Sequence, residues 1–469
     1  MERSTAILVA FAVYLVGLGL LGWLAASRTR DAAGFYLGGK TLGPWVAALA
    51  ANASSSSAWS LVGVSGFAYL HGLSALWILP GSVGGFVLNW LVVAPRLRAQ
   101  TGSAVTLTEF LAGPSGPPGR RAVVVTASLL TLGSLLTYVA SQVQAAGSAF
   151  THAFAVEPTF GIVLGAAITV LYTLFGGYLA ASLTDTLQGL FMVGVAVVLP
   201  VAAVVHLGGP GALVEAIANV DGATYADTFG GRTGLVAMGF ALSMCGIGLG
   251  YPGQPHAVNK FMGMAAGASM RVARTVGITW AVLLYVGMLV TGWAARVLWQ
   301  VPPGQHENAL YVASENLFPP FVDGLVLAAV LAAIMSTVDS QLLVCASCVT
   351  HDLGWQGRSE RTMLRAARAT VVAIGVGATG AALVVPKNVF DNVLFAWAAL
   401  GSAFGPLLLV RLCIGPVAPR WALLAMWTGG LGAIGGFYAP VLAPGFADRV
   451  LSWIAAGCLA WLGARRSRT

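Results

Sequence analysis

Leu49-Ala-Ala-Asn-Ala-Ser-Ser-Ser-Ser-Ala-Trp-Ser60 lies in the middle of an apolar stretch, residues 44–69, that is long enough to cross a bilayer. Small hydroxyl side chains are tolerated in membrane helices as interhelical glue. Four consecutive serines at 54–57 are harder to explain that way, because successive helical residues point to every side. A locally unwound segment is the better fit, since non-helical backbone at membrane depth persists only where it lines a cavity or is buried in protein.

The whole chain has the composition that such a segment requires. Of its 469 residues 58% are hydrophobic and only 9% charged, against roughly 25% charge in soluble proteins. Apolar runs of spanning length occur at about 5–26, 44–69, 72–95, 123–150, 159–177, 185–208, 234–256, 275–298, 320–348, 369–386, 390–413, 421–440 and 447–464. An all-α integral membrane protein with 13 transmembrane helices follows. The net charge of +8 sits in short connectors and makes no clustered basic face, so no nucleic-acid partner is expected. Cys245, Cys345, Cys348, Cys413 and Cys458 fall within or beside apolar runs and read as buried thiols. The histidines lack metal-site spacing.

The first run begins almost at Met1 and is followed by Arg28 and Arg30. A cleavable signal carries its positive charge before the apolar segment, so a retained helix with its N-terminus outside is expected. Alternating from there leaves Arg3, Arg232, Arg296, Lys387 and Arg449 outside and every other Lys and Arg inside, the bias of an inner-membrane protein with a cytoplasmic C-terminus. Connectors 209–233 and 299–319 carry Glu215, Asp221, Asp227, Glu307 and Glu315 on the outer side, with room for short interfacial helices. Arg361, Arg365 and Arg368 suit an amphipathic stretch at the headgroups.

Two further segments share the polar theme. The ninth span contains Ser336-Thr337-Val-Asp339-Ser340-Gln341, and Asp339 is costly in an apolar helix unless it is paired or lines a path. The seventh ends in Gly246-Ile-Gly-Leu-Gly250-Tyr251-Pro252-Gly-Gln254-Pro255-His256, a composition for a break or a strong kink. Broken segments in corresponding positions of two halves suggest a five-plus-five inverted repeat: residues 44–208 and 234–413, with 1–43 and 414–469 peripheral. Carbonyls released near Ala53 and Ser56, with the hydroxyls of Ser336 and Thr337, would offer neutral oxygens to Na+, a hard cation. Serines alone fit ordinary helix packing equally well.

Motifs spread along the chain sharpen this. They are Phe35-Tyr-Leu-Gly-Gly-Lys40 with Leu42-Gly-Pro44; Leu171-Tyr-Thr-Leu-Phe-Gly-Gly177 with Thr184-Asp185-Thr-Leu-Gln188; Gly248-Leu-Gly-Tyr251 with Gly253-Gln-Pro-His256; Met335-Ser-Thr337 with Gln341-Leu-Leu-Val-Cys345; and Ala396-Trp-Ala-Ala-Leu-Gly-Ser-Ala-Phe-Gly-Pro406. In these the chain resembles the bacterial sodium/solute symporter family, and its proline-transporting branch most of all. The resemblance implies a broken-helix secondary transporter fold that moves a small organic solute with Na+. It maps a sodium site onto Ala53, Ser56, Ala333, Ser336 and Thr337, and a solute site onto Ser57, Trp59, Tyr138, Ile247, Tyr251 and Pro255. Trp59 and Tyr251 read equally as core aromatics. Asp185 stands at capping-box spacing from Ser182; the resemblance gives it a part in inward sodium release or a further cation site. With Ser55 and Asp339 it makes an expected ion pathway.

Two positions depart from that branch. Ser55 stands where the branch has an aspartate important for sodium, and Ile247 where it has a tryptophan. The expected function is Na+-coupled import of an amino acid or related zwitterion by alternating access. Na+ is the coupling ion, no cofactor is needed, membrane lipid surrounds the chain and the monomer is the functional unit. Proton-coupled or sodium-independent transport is the alternative that Ser55 keeps open. A transporter-like sensor would want an attached signalling domain, and the chain as given stops at Thr469. An enzyme would need a nucleophile–base pair or metal cluster at one depth, and a channel a continuous polar pore; neither pattern is present in the sequence. Reporter fusions at 115, 260 and 360 are expected to read cytoplasmic, and a periplasmic signal at any of them breaks the alternation.

Overall fold

A computed structural model describes residues 3–26, 40–102, 104–114, 116–175, 178–220, 222, 224–354, 359–384 and 388–466. Arg28, Arg30, residues 35–39 of the first motif, Gly176, Gly177, Asp221, Arg358, Lys387 and Arg468 lie outside them. The chain is built of helices: α1 Arg3–Ala26, α2 Pro44–Ser55, α3 Val64–His71, α4 Ile78–Leu88, α5 Arg120–Phe154, α6 Pro158–Phe175, α7 Tyr178–His206, α8 Gly234–Gly246, α9 Pro255–Met262, α10 Met270–Leu298, α11 Pro320–Ser347, α12 Glu360–Val384, α13 Val389–Cys413, α14 Pro419–Tyr438 and α15 Ser452–Arg466. Proline opens α2, α9, α11 and α14, where its missing N–H costs nothing and its fixed φ suits the first turn.

Among the described residues, 9 helical stretches are long and apolar enough to cross a membrane, which makes this a multi-pass membrane fold. Each of the thirteen apolar runs contains helix, but several do not pass as one uninterrupted rod. The run at 44–69 is cut into α2 and α3, and Trp59–Gln100 joins parts of two runs through a turn at Gly72, whose φ of 59° suits glycine. Pro158–Leu174 is apolar but shorter.

α11 is the buried axis. Almost all of it is inaccessible from Asp323 onward, and α1, α5, α7 and α12 surround it. α2 runs beside α7, α9, α10 and α11, and α13 lies against α5, α14, α15 and the segment between α8 and α9.

The structure corrects several expectations. The first break is narrower than the serine run: Ser54 and Ser55 complete the last turn of α2, and only Ser56 and Ser57 leave the helix. The ninth span is an unbroken helix through Ser336 and Thr337, because its many Ala and Leu residues favour helix and no Gly or Pro lies nearby to interrupt the backbone hydrogen bonds. Asp185 is no helix cap, since α7 starts at Tyr178 and Asp185 lies a full turn and more inside it. Lys260, assigned to an inner connector, is buried in α9, so a topology reporter belongs at exposed Ala266 instead. Of the cysteines only Cys345 and Cys348 are buried; Cys413 and Cys458 are exposed and Cys245 is intermediate. The two long acidic connectors contain the short helices Pro210–Ala218 and Ala309–Leu317.

Candidate functional site

At the end of α2 the backbone turns extended at Ser56 (φ −117°, ψ 93°), and a wide π turn over Trp59–Gly63 restarts the helix. The Oε1 of Gln142 on α5 accepts the Ala58 amide at 3.0 Å and so closes the restart. Across the break stands α11. The Ser336 hydroxyl lies 3.2 Å from the Ala53 carbonyl and 3.2 Å from that of Ala333. One O–H can donate to only one of them at a time, so three oxygens converge on a single proton. Among the described residues the Ser56 and Thr337 hydroxyls are sealed from solvent and make no hydrogen bond of ordinary geometry, Ser56 facing the Tyr285 hydroxyl. A cluster of neutral oxygens with unmet capacity fits a hard monovalent cation. All five expected sodium residues are buried; the distances link Ala53, Ser56, Ala333 and Ser336, and Thr337 follows Ser336 on α11.

A charged cluster adjoins it. The Lys260 ammonium bonds Asp185 Oδ2 at 2.9 Å and the Ser182 hydroxyl at 3.2 Å. The same carboxylate oxygen accepts from Ser54 at 3.0 Å and Ser340 at 3.4 Å, and those two hydroxyls are 3.1 Å apart. Ser54, directly after Ala53, also lies 2.7 Å from the Ala50 carbonyl, so its one proton is shared between its own helix and Asp185 on α7. Asp339 is buried beside Ser340 and forms no ion pair among the described residues. Ser55 is different: its hydroxyl folds back onto the carbonyls of Ala51 (2.9 Å) and Asn52 (3.1 Å), serving its own helix and not the cluster.

The expected solute residues are also buried, and most are linked. Tyr138 on α5 donates to the Ser57 hydroxyl at 3.3 Å. Trp59 lies between Tyr285 on α10 and Phe390 on α13, with ring centroids 6.1 and 5.5 Å away. The Tyr285 hydroxyl shares a hydrogen bond with Tyr251 (2.8 Å) and another with Ser60 (3.1 Å), joining the two breaks. Pro255 opens α9, and its neighbour His256 meets the Tyr138 ring edge-on at 5.9 Å. Above Trp59, Glu307 accepts from the amides of Phe390 (2.8 Å) and Val389 (3.2 Å) and so caps the start of α13. Burial pushes its carboxyl up, and these amides draw it back down.

The second break is a 3₁₀ turn, Ile247–Gly253, which frees carbonyls that a membrane interior cannot leave bare. Each of four has a side-chain donor: Trp397 Nε1 to Ile247 (3.0 Å), Trp453 Nε1 to Leu249 (3.0 Å), Gln254 Nε2 to Gly250 (3.3 Å) and Asn89 Nδ2 to Tyr251 (3.3 Å). Lys260, Tyr285, Trp397 and Gln142 were not singled out from the sequence. Trp397 lay inside the Ala396-to-Pro406 motif, and Lys260 was a lone cation four residues past another motif, so both left a signal. Tyr285 and Gln142 left none.

Two discontinuous helices facing an uninterrupted one, with buried neutral oxygens between them, define a multi-pass membrane transporter rather than an enzyme. The profile of the Sodium:solute symporter family matches residues 35–429, and the chain belongs to that family. Among its relatives, the osmoregulated proline transporter OpuE of Bacillus subtilis is 36% identical, over 91% of this chain and 87% of that one. The sodium/proline symporter of Escherichia coli is 34% identical, over 92% and 88%. In fold, the chain matches the substrate-bound outward-open structure of a Na+-coupled sialic acid symporter with a TM-score of 0.82, covering 99% and 98% of the two chains at 17% identity.

The buried ion pair gives a direct test. Lys260→Met leaves Asp185 uncompensated and should destabilise the protein by roughly 3–5 kcal/mol. Adding Asp185→Asn should restore most of that loss in thermal unfolding of the purified protein; a double variant as unstable as the sum of the singles would show that the pair is not coupled.

Proposed function

We propose that this protein is a Na+-coupled symporter that imports a small organic solute, an amino acid or related zwitterion, by alternating access. The observation that carries this is the Ser336 hydroxyl within 3.2 Å of both the Ala53 and Ala333 carbonyls, which sets oxygens of α11 against the break in α2. In this reading the oxygens of Ala53, Ser56, Ala333, Ser336 and Thr337 surround one Na+. Their summed charge is zero, so the bound ion keeps its +1 and attracts a solute carboxylate into a site formed by Ser57, Trp59, Tyr138, Ile247, Tyr251 and Pro255. The proline transporters among the relatives support an amino acid as the solute. Ile247, with less bulk than an indole, favours a solute different in shape from theirs.

Asp185, Asp339 and Ser55 complete the reading as the ion pathway, with the Ser54 and Ser340 hydroxyls as the link from Asp185 toward the sodium residues. The breaks after α2 and after α8 fall in the second and seventh apolar runs, which supports thirteen spans with a five-plus-five inverted repeat over 44–208 and 234–413. Residues 1–43 and 414–469 flank that core. The cation distribution supports an inner-membrane placement with the N-terminus outside and the C-terminus cytoplasmic. The functional unit is the monomer.

Ser336→Ala with Thr337→Ala removes two hydroxyl ligands and leaves the carbonyls. In proteoliposomes the double variant should raise the Na+ concentration for half-maximal uptake at least tenfold, which is about 1.4 kcal/mol. Uptake that follows a proton gradient and ignores Na+ would overturn the ion assignment.

A further inference from the structure

The solute site as read from the sequence has one open wall, at Ile247, and the structure puts a ring there from an element that the reading did not use. We propose that Trp397 of α13 lines the solute pocket and sets its choice of solute. This rests on the reading above that Tyr138 and Tyr251 contact the solute.

Trp397 is seated between those two tyrosines. Its ring meets Tyr251 edge-on at 4.7 Å and 77°, and Tyr138 at 6.5 Å and 69°. Its indole N–H donates to the carbonyl of Ile247 itself at 3.0 Å, so the large ring stands on the backbone of the residue whose own side chain is short. Gly250 makes the room: a Cβ there would run into the indole nitrogen. At its other end the Trp397 carbonyl accepts from Gln254 Nε2 at 3.0 Å. The ring is therefore clamped to the second break through both its side chain and its main chain. It moves when the break moves, as a wall of an alternating-access site must.

Trp397 stands edge-on to both tyrosine rings, and these three rings already occupy the aromatic positions of this pocket. Tilted rings offer C–H contacts and partial faces, but no parallel slot for another flat ring. The solute class that fits is a compact zwitterion whose apolar part is aliphatic. Trp453 makes the contrasting case. It donates to Leu249 from α15 and is in ring contact with neither tyrosine, so it positions the break without contacting solute.

The test uses purified full-length protein in Na+ buffer. Half-saturating concentrations for thermal stabilisation are measured with glycine betaine, proline, valine, pipecolate and phenylalanine. Trp397→Leu is expected to shift the ratio between phenylalanine and proline at least tenfold toward phenylalanine, since removing the ring opens the slot. Trp397→Phe keeps a ring and should shift that ratio about threefold, which decides the matter if the leucine variant does not fold. Trp453→Phe should weaken every solute by a common factor. A common factor for the Trp397 variants as well would overturn the proposal, making this indole a packing residue only. If the wild type responds to none of the five solutes in Na+, the functional reading falls, and the proposal with it.

Discussion

A backbone carbonyl inside a bilayer has no water to turn to, so every one released from a helix must find a donor or a cation within the protein. That constraint orders the rest of the structure. Among the described residues the second and seventh apolar runs release backbone after α2 and after α8, and the surrounding helices are arranged around what those places lack. At the second break protein donors meet the need: four carbonyls take bonds from Trp397, Trp453, Gln254 and Asn89, side chains brought from as far away in sequence as the last helix. At the first break the Ala53 carbonyl accepts the Ser56 amide at 3.1 Å and shares the Ser336 proton with Ala333, while among the described residues the Ser56 and Thr337 hydroxyls make no hydrogen bond of ordinary geometry. The difference is chemical. A break whose carbonyls take side-chain donors is held as a unit with its partners, and a break lined by neutral hydroxyls without partners is where the proposed Na+ would sit.

The two polar clusters beside α11 divide the electrostatic work. The oxygens near Ser336 are neutral and cheap to bury, so they can be emptied and closed without stranding a charge. Asp185 carries a full charge and is balanced by Lys260, with Ser54 and Ser340 on the same oxygen. Because Ser54 follows Ala53 directly in the chain, movement at either cluster is felt at the other. Tyr285 performs a similar service for the aromatic side, bonding to Ser60 after the first break and to Tyr251 in the second.

Much of this was legible in the sequence. Glycine and proline announce a break because they remove helical preference locally, and the 247–253 segment was found from them alone. The serine run located the first break to within two residues. Its exact extent was not legible, since Ser54 and Ser55 keep helical backbone by bonding back to Ala50 and Ala51, an option that serine sequence does not distinguish from unwinding. The ninth span misled for the same reason: polar side chains on a good helix former need not break it. What pattern could not supply was pairing across the fold. Nothing local couples Lys260 to Asp185, or Trp397 to the carbonyl of a residue 150 positions earlier, and those partners came only from the packing of distant helices.

The central claim is that neutral oxygens of α2 and α11 bind Na+ and that solute binding depends on it. Equilibrium binding of radiolabelled Na+ to the purified protein, at constant pH and with and without solute, tests it most directly. The account predicts saturable Na+ binding that solute tightens and that Ser336→Ala with Thr337→Ala abolishes over the same concentration range. Equal Na+ binding by wild type and double variant, or solute binding indifferent to Na+, would contradict it.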